Sequence, residues 1–176
     1  MSESLNQLEW TEDASGASFE ELYESYATDV LRVAYYYLGD RQRAEDVTQD
    51  VFVKLIQNRP ALVRGKEKPW LLKVTLNRCR DLWRSSWLKK VVLGHPAFEL
   101  FPAEDDIGKA SDRLSLAEAI NHLPADFKEV VLLHYYQGYG VSDVAQILGI
   151  AEGTVSSRLS RARSRLQNEL KGEDNP

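Results

Sequence analysis

Cysteine is nearly missing: Cys79 stands alone among 176 residues. A single thiol forms no internal disulfide, which fits a reducing compartment. No apolar run approaches the roughly 18–20 residues that span a bilayer. The opening residues, MSESLNQLEWTEDASG, lack the basic start and apolar core of a secretory signal. A cytoplasmic chain that is not itself a membrane protein is the expectation. Metal-ligand spacings and glycine-rich phosphate loops are missing too, and His95, His122 and His134 are scattered. These gaps leave an enzyme as the least supported class, and no cofactor or metal is expected. Alternating strand patterns with hairpin turns are also absent, so the fold should be all-α.

What is present is uneven charge. The formal net charge is −5, yet the acids and bases are segregated. Glu3 to Asp29 holds eight acids and no base. Arg64 to Lys90 holds nine bases against Glu67 and Asp81. Acids dominate again from Glu99 to Asp112, and bases from Arg158 to Lys171. One such run reads as a solvated face. Two separated basic blocks, one rich in tryptophan, point to a polyanionic partner.

Helical periodicity organises the chain into two units. In the first, Ser18 and Glu21 form a capping box. Behind it Phe19, Leu22, Tyr23, Tyr26, Val30, Val33, Ala34 and Tyr37 recur at helical spacing. Gly39 should end that helix and Asp40 cap the next. A second helix, about 41–57, buries Ala44, Val47, Thr48, Val51, Phe52 and Leu55 on one arc. A third should run from about Trp70 to Trp87. Residues 89–112, with two prolines and two glycines, read as a linker. Helical spacing then resumes over 113–170. Residues 1–17 form an acidic leader, expected to be disordered, and residues 171–176 a short tail.

The segment VSDVAQILGIAEGTVSSRL, residues 141–159, carries the strongest local signal. Ala145 falls where two helices must cross closely. Gly149 falls four residues later, at a turn that needs a positive backbone angle. Val144, Leu148, Ile150, Val155 and Leu159 supply a shared core. Together they spell a helix-turn-helix, whose second helix enters the DNA major groove. In that helix Val155, Leu159, Ala162 and Leu166 form the buried side. Thr154, Arg158, Arg161 and Arg165 line one flank; Ser156, Ser160 and Arg163 line the other, with Ser157 and Ser164 between. Short hydroxyls permit close approach, and arginines read guanine edges or hold phosphates.

The stretch KPWLLKVTLNRCRDLWRSSWLKK, residues 68–90, interleaves tryptophans with bases. Such a mixture suits a single strand, with bases stacking on rings while cations follow the backbone. Trp70 reads more simply as core; for Trp83 and Trp87 core and exposed roles stay open. On the second helix, Asp46, Gln49 and Asp50 surround Val53 on the outward arc. That face suits a basic protein surface, although a solvated face is the plainer reading. A stand-alone helix-turn-helix regulator remains open as an alternative, but it has no need of the second basic block.

Taken together, the chain resembles a bacterial sigma factor of the extracytoplasmic function (ECF) group. GDRQRAEDVTQDVFVKL (39–55) is similar to the group's region 2 signature, and WLLKVTLNRCRD (70–81) to its tryptophan helix. LPADFKEVVLLHYYQGYGVSDVAQILGIAEGTVSSRLSRARSRL (123–166) resembles its region 4. The resemblance implies region 2 over 18–88 and region 4 over 113–170. Region 2 would meet the β′ clamp helices of core RNA polymerase through Asp46, Gln49, Asp50 and Val53. It would also capture the opened −10 strand through Lys66, Lys73, Asn77, Arg78, Arg80, Trp83 and Arg84. Region 4 would bind the β flap and read the −35 element of promoter DNA through Thr154, Ser156, Ser157, Arg158, Ser160, Arg161 and Arg165. A partner anti-sigma factor, in many members membrane-anchored, is implied as well.

Overall fold

A computed structural model describes residues 16–93, except 59 and 61, and residues 110–173. The side chains of 86–93, 110–115 and 173 are not described. The structure is helical, with no strand among the described residues. Helices α1 (Phe19–Leu38), α2 (Arg41–Asn58) and α3 (Glu67–Leu93) pack on one another as an N-terminal unit. Helices α4 (Ala110–His122), α5 (Ala125–Val131) and α6 (Val141–Leu148) pack around α7 (Glu152–Glu173) or its neighbours as a C-terminal unit. A π-helical turn, Leu132–Tyr136, continues α5.

Local chemistry sets the first helix ends. Ser18 Oγ accepts from the Glu21 amide at 3.2 Å, and the Glu21 carboxylate accepts from the Ser18 amide at 2.9 Å. The Ser18 and Glu21 amides, two donors without a partner inside the helix, are thereby satisfied. Gly39 closes α1 at φ 68°, in the left-handed region that glycine enters without strain. The next residue, Asp40, then accepts from the Arg43 amide at 3.1 Å and starts α2. Two adjacent residues thus turn the chain between helices.

The buried set of α2 is Ala44, Val47, Thr48, Val51, Phe52 and Leu55, the arc expected from periodicity. It meets Leu22, Val30, Val33 and Ala34 of α1 and Leu71, Leu72 and Leu76 of α3. Each fully buried leucine contributes about 1.5–3 kcal/mol of transfer free energy. Thr48 and Thr75 are buried at no polar cost, because each hydroxyl donates to the carbonyl four residues back. Cys79 is buried beside them, and burial pushes its thiol well up, so it is an inert core residue.

Four boundaries differ from expectation: α3 opens at Glu67, before Trp70, and α7 runs to Glu173, past 170. Helix α3 runs to Leu93, past Trp87 and the expected linker start. Helix α4 opens at Ala110, before 113. No glycine or proline stands between Trp70 and Leu93, so nothing in the chain stops the helix before Gly94. The expected linker's middle, the leader to residue 15 and the end of the tail lie outside the described residues. No helix among the described residues is long and apolar enough to cross a membrane.

Candidate nucleic-acid interface

Helices α6 and α7 form the expected helix-turn-helix. Gly149 sits between them at φ 67°, and a β-carbon there would meet nothing within 4 Å. Backbone angle, not space, therefore requires glycine. Ala145, Val144, Val155, Leu159 and Ala162 are buried at the crossing, with Leu148, Ile150 and Leu166 half-buried around them. Ala151, before α7, has no side-chain acceptor to offer as a cap; its carbonyl accepts from the Thr154 and Val155 amides.

The outer side of α7 is polar and open. Ser156, Ser157, Ser160, Arg161, Arg163 and Ser164 are exposed, and Arg161 and Arg163 make no ion pair with a described residue. Thr154 is half-buried. The other two arginines of the expected flank lean on their own unit. Arg158 lies 3.6 Å from the Asp126 carboxylate of α5. Arg165 lies over the Phe127 ring, 5.3 Å from its centroid. The spacing of the flank is as expected, but its arginines are of two kinds: tethered and unattached.

On α3, Lys73, Asn77 and Arg84 are exposed, and Arg80 and Trp83 half-buried. Lys73, Asn77, Arg80 and Arg84 fall at i, i+4, i+7 and i+11, a continuous stripe opposite Leu71, Thr75 and Leu82. Arg78 points instead toward α2, where its guanidinium donates to Asp50 at 2.8 Å. Asp46, Gln49, Asp50 and Val53 share the exposed face of α2, and Val53 is 47% exposed. One residue expected to contact polymerase is thereby joined to one expected to contact DNA.

The two units meet beside this stripe, at Arg80 and Trp83. The Tyr37 carbonyl, an orphan acceptor at the end of α1, receives Lys128 Nζ at 3.0 Å and Asn121 Nδ2 at 3.2 Å. The negative end of the α1 dipole favours that ammonium. Lys128 Nζ also stands 3.9 Å from the centre of the Trp83 ring and 5.0 Å from that of Tyr37. Glu129 receives two bonds from Arg80, at 2.8 and 2.5 Å. Lys128 is fully buried and Glu129 2% exposed. Burial lifts the Glu129 carboxyl above its ordinary range, against the downward pull of Arg80. Further along, Lys66, Trp70 and Lys73 face Tyr139, Asp143 and Ile147 across a cleft of about 560 Å³. The Tyr37 hydroxyl is buried with no partner among the described residues.

Lys128 and Glu129 carry no sequence signal for this role. Within FKEVVLL they occupy positions that a solvated helix face would equally use. Packing against two distant helices, through Tyr37 of α1 and Arg80 and Trp83 of α3, buries them.

Two family models match the chain: sigma-70 region 2 over residues 22–89, and sigma-70, region 4 over residues 113–166. The chain is 35% identical over 155 residues to the ECF RNA polymerase sigma factor SigL of Mycobacterium tuberculosis, covering 85% of this chain and 86% of that protein. It is 29% identical over 164 residues to SigE of Mycolicibacterium smegmatis, another ECF RNA polymerase sigma factor, covering 90% and 64%. Among solved structures it is similar to the sigma factor RpoE of Bartonella quintana, in complex with the anti-sigma factor NepR. The TM-score is 0.73 at 28% identity, over 87% of this chain and 96% of that one. CnrH, solved with the cytosolic domain of CnrY, shares the fold at a TM-score of 0.65 and 21% identity.

Proposed function

The chain belongs to the ECF group of the sigma-70 family of RNA polymerase sigma factors, and from that membership we propose how its residues divide the work. Its function is to bind core RNA polymerase and direct promoter recognition and transcription initiation. Residues 18–88 act as region 2 and residues 113–170 as region 4. The exposed face of α2, with Asp46, Gln49, Asp50 and Val53, is the polymerase contact. The α3 stripe, with Lys66, Arg78 and Trp83 beside it, takes the opened −10 strand: cations follow its phosphates and the ring stacks a base. The outer face of α7 enters the −35 major groove, where Ser156, Ser157 and Ser160 permit close approach and Arg161 reaches a base edge. Thr154, Arg158 and Arg165 hold the phosphates beside it.

Work of this kind is cytoplasmic and needs no catalytic chemistry or cofactor from this chain. An anti-sigma factor is a fitting partner, since the similar RpoE structure was solved with one. The observation that carries the reading is the helix-turn-helix at Gly149 combined with a second basic, aromatic helix in the other unit. A stand-alone duplex binder has no use for the latter. Run-off transcription with core polymerase on genomic fragments tests it. A defined start site that depends on this chain is expected; failure to associate with core enzyme would sink the reading.

A further inference from the structure

The cleft between the two units has a volume of about 560 Å³, within the roughly 300–1,000 Å³ of small-molecule sites. Its lining is sorted by chemistry. On the α3 side stand Lys66 and Lys73, both exposed and in no ion pair with a described residue. Lys68 differs, because the Asp29 carboxylate lies 3.4 Å from its ammonium. Three half-buried rings follow: Tyr26 from α1, Trp70 from α3 and Tyr139 from the turn before α6. On the α6 side is Asp143, an exposed carboxylate in no ion pair with a described residue. The Tyr139 phenol is pushed up by burial first, then by Tyr26, Asp143 and Asp29, which sets a second ring and the carboxylate near it.

Each part has its own preference. Unattached ammoniums hold phosphates. Flat rings stack on a nucleobase. A carboxylate only accepts hydrogen bonds, so it selects a base edge with adjacent N–H donors. Guanine has such an edge, in its ring N–H and exocyclic amine. Adenine sets a ring acceptor beside its amine, and a carboxylate repels that acceptor.

We propose that the cleft is a binding site for a guanine nucleotide with two phosphates, its base among the rings and against Asp143, its phosphates on Lys66 and Lys73. Tyr139 and Asp143 belong to the C-terminal unit, so this site is not the strand surface of α3. It shares Lys66 and Lys73 with that surface, and nucleotide and −10 strand therefore compete for two cations. That competition alone rests on the reading of those lysines as strand contacts.

Isothermal titration of the full-length chain with guanosine 5′-diphosphate at low salt tests the proposal. Saturable binding is expected, with guanosine, inorganic pyrophosphate and adenosine 5′-diphosphate each about tenfold weaker or more. Simple charge and the site predict opposite signs for Asp143→Asn. Removing an anion from the cleft tightens any anionic ligand by charge alone. The site predicts instead that guanosine 5′-diphosphate binds about tenfold more weakly and loses its advantage over adenosine 5′-diphosphate. Lys66→Ala combined with Lys73→Ala should weaken the diphosphate about tenfold or more and leave guanosine unchanged. Circular dichroism checks helix content, and if a variant loses helix, the four probes on the unaltered chain carry the test. No saturable binding overturns the proposal. So does equal affinity for pyrophosphate and guanosine 5′-diphosphate, which marks a patch of cations only, and so does tighter binding by Asp143→Asn. None of these results touches the sigma-factor reading, which association of the unaltered chain with core polymerase tests separately.

Discussion

Helices α3 and α7 carry the same device: four polar or basic residues at i, i+4, i+7 and i+11. On α7 these are Thr154, Arg158, Arg161 and Arg165; on α3 they are Lys73, Asn77, Arg80 and Arg84. Their surroundings differ. The arginines of α7 that have partners are held by α5 of the same unit, through Asp126 and Phe127. Arg80 of α3 is held by α5 of the other unit, through Glu129. A tether from within a unit orients a side chain without hiding the helix. A tether from outside takes up Arg80 itself, while Lys73, Asn77 and Arg84 stay exposed. Equal basic stripes therefore differ in readiness, and what packs on them decides the difference.

Truncating a core contact under the open stripe should have the largest effect. Leu159→Ala is expected to cost about 2–5 kcal/mol in urea unfolding and to abolish −35 duplex binding with it. Next comes Asp50→Arg, which places a cation on the α2 face and against Arg78. Core polymerase affinity should fall by about 2–3 kcal/mol, while duplex binding by residues 113–170 stays unchanged. A drop in that duplex binding would break the division of labour between the units. Within α7, Arg161→Ala should weaken −35 binding by about 1–3 kcal/mol at fixed salt, as loss of a base contact does. Arg158→Ala, already facing Asp126, should cost about half as much or less. The reverse ranking would show that the tethered arginine, not the unattached one, reads the base. Ser18→Ala should cost about 1 kcal/mol in thermal unfolding, through the lost cap, and leave binding by both helices untouched.

Much of this comparison is legible in the residues alone. The buried arc of α2, the capping box at Ser18 and the Gly39–Asp40 junction all follow from local rules, and the structure shows each. So does the turn at Gly149, because a positive φ leaves few alternatives to glycine. Contacts between distant helices obey no such rule. Asp50 and Arg78 are 28 residues apart, and Arg80 and Glu129 are 49 apart. A lysine and a glutamate inside an α-helix are read as solvated, since charged residues are rarely buried. Only the packing of one unit on the other reverses that expectation. Arg158 and Arg165 are equally illegible, though within one unit, because their inward lean depends on where α5 ends up.

The contact between Arg80 and Glu129 also fixes a length. A compact chain of 176 residues is about 40 Å across, the length of roughly 12 base pairs of duplex at about 3.4 Å per step. While Glu129 rests on Arg80, that length bounds the reach of the molecule along DNA. On the division of labour proposed above, two promoter elements set further apart than this are spanned only when the two units part, and the interval between them is gauged by whatever holds the units apart rather than by this chain.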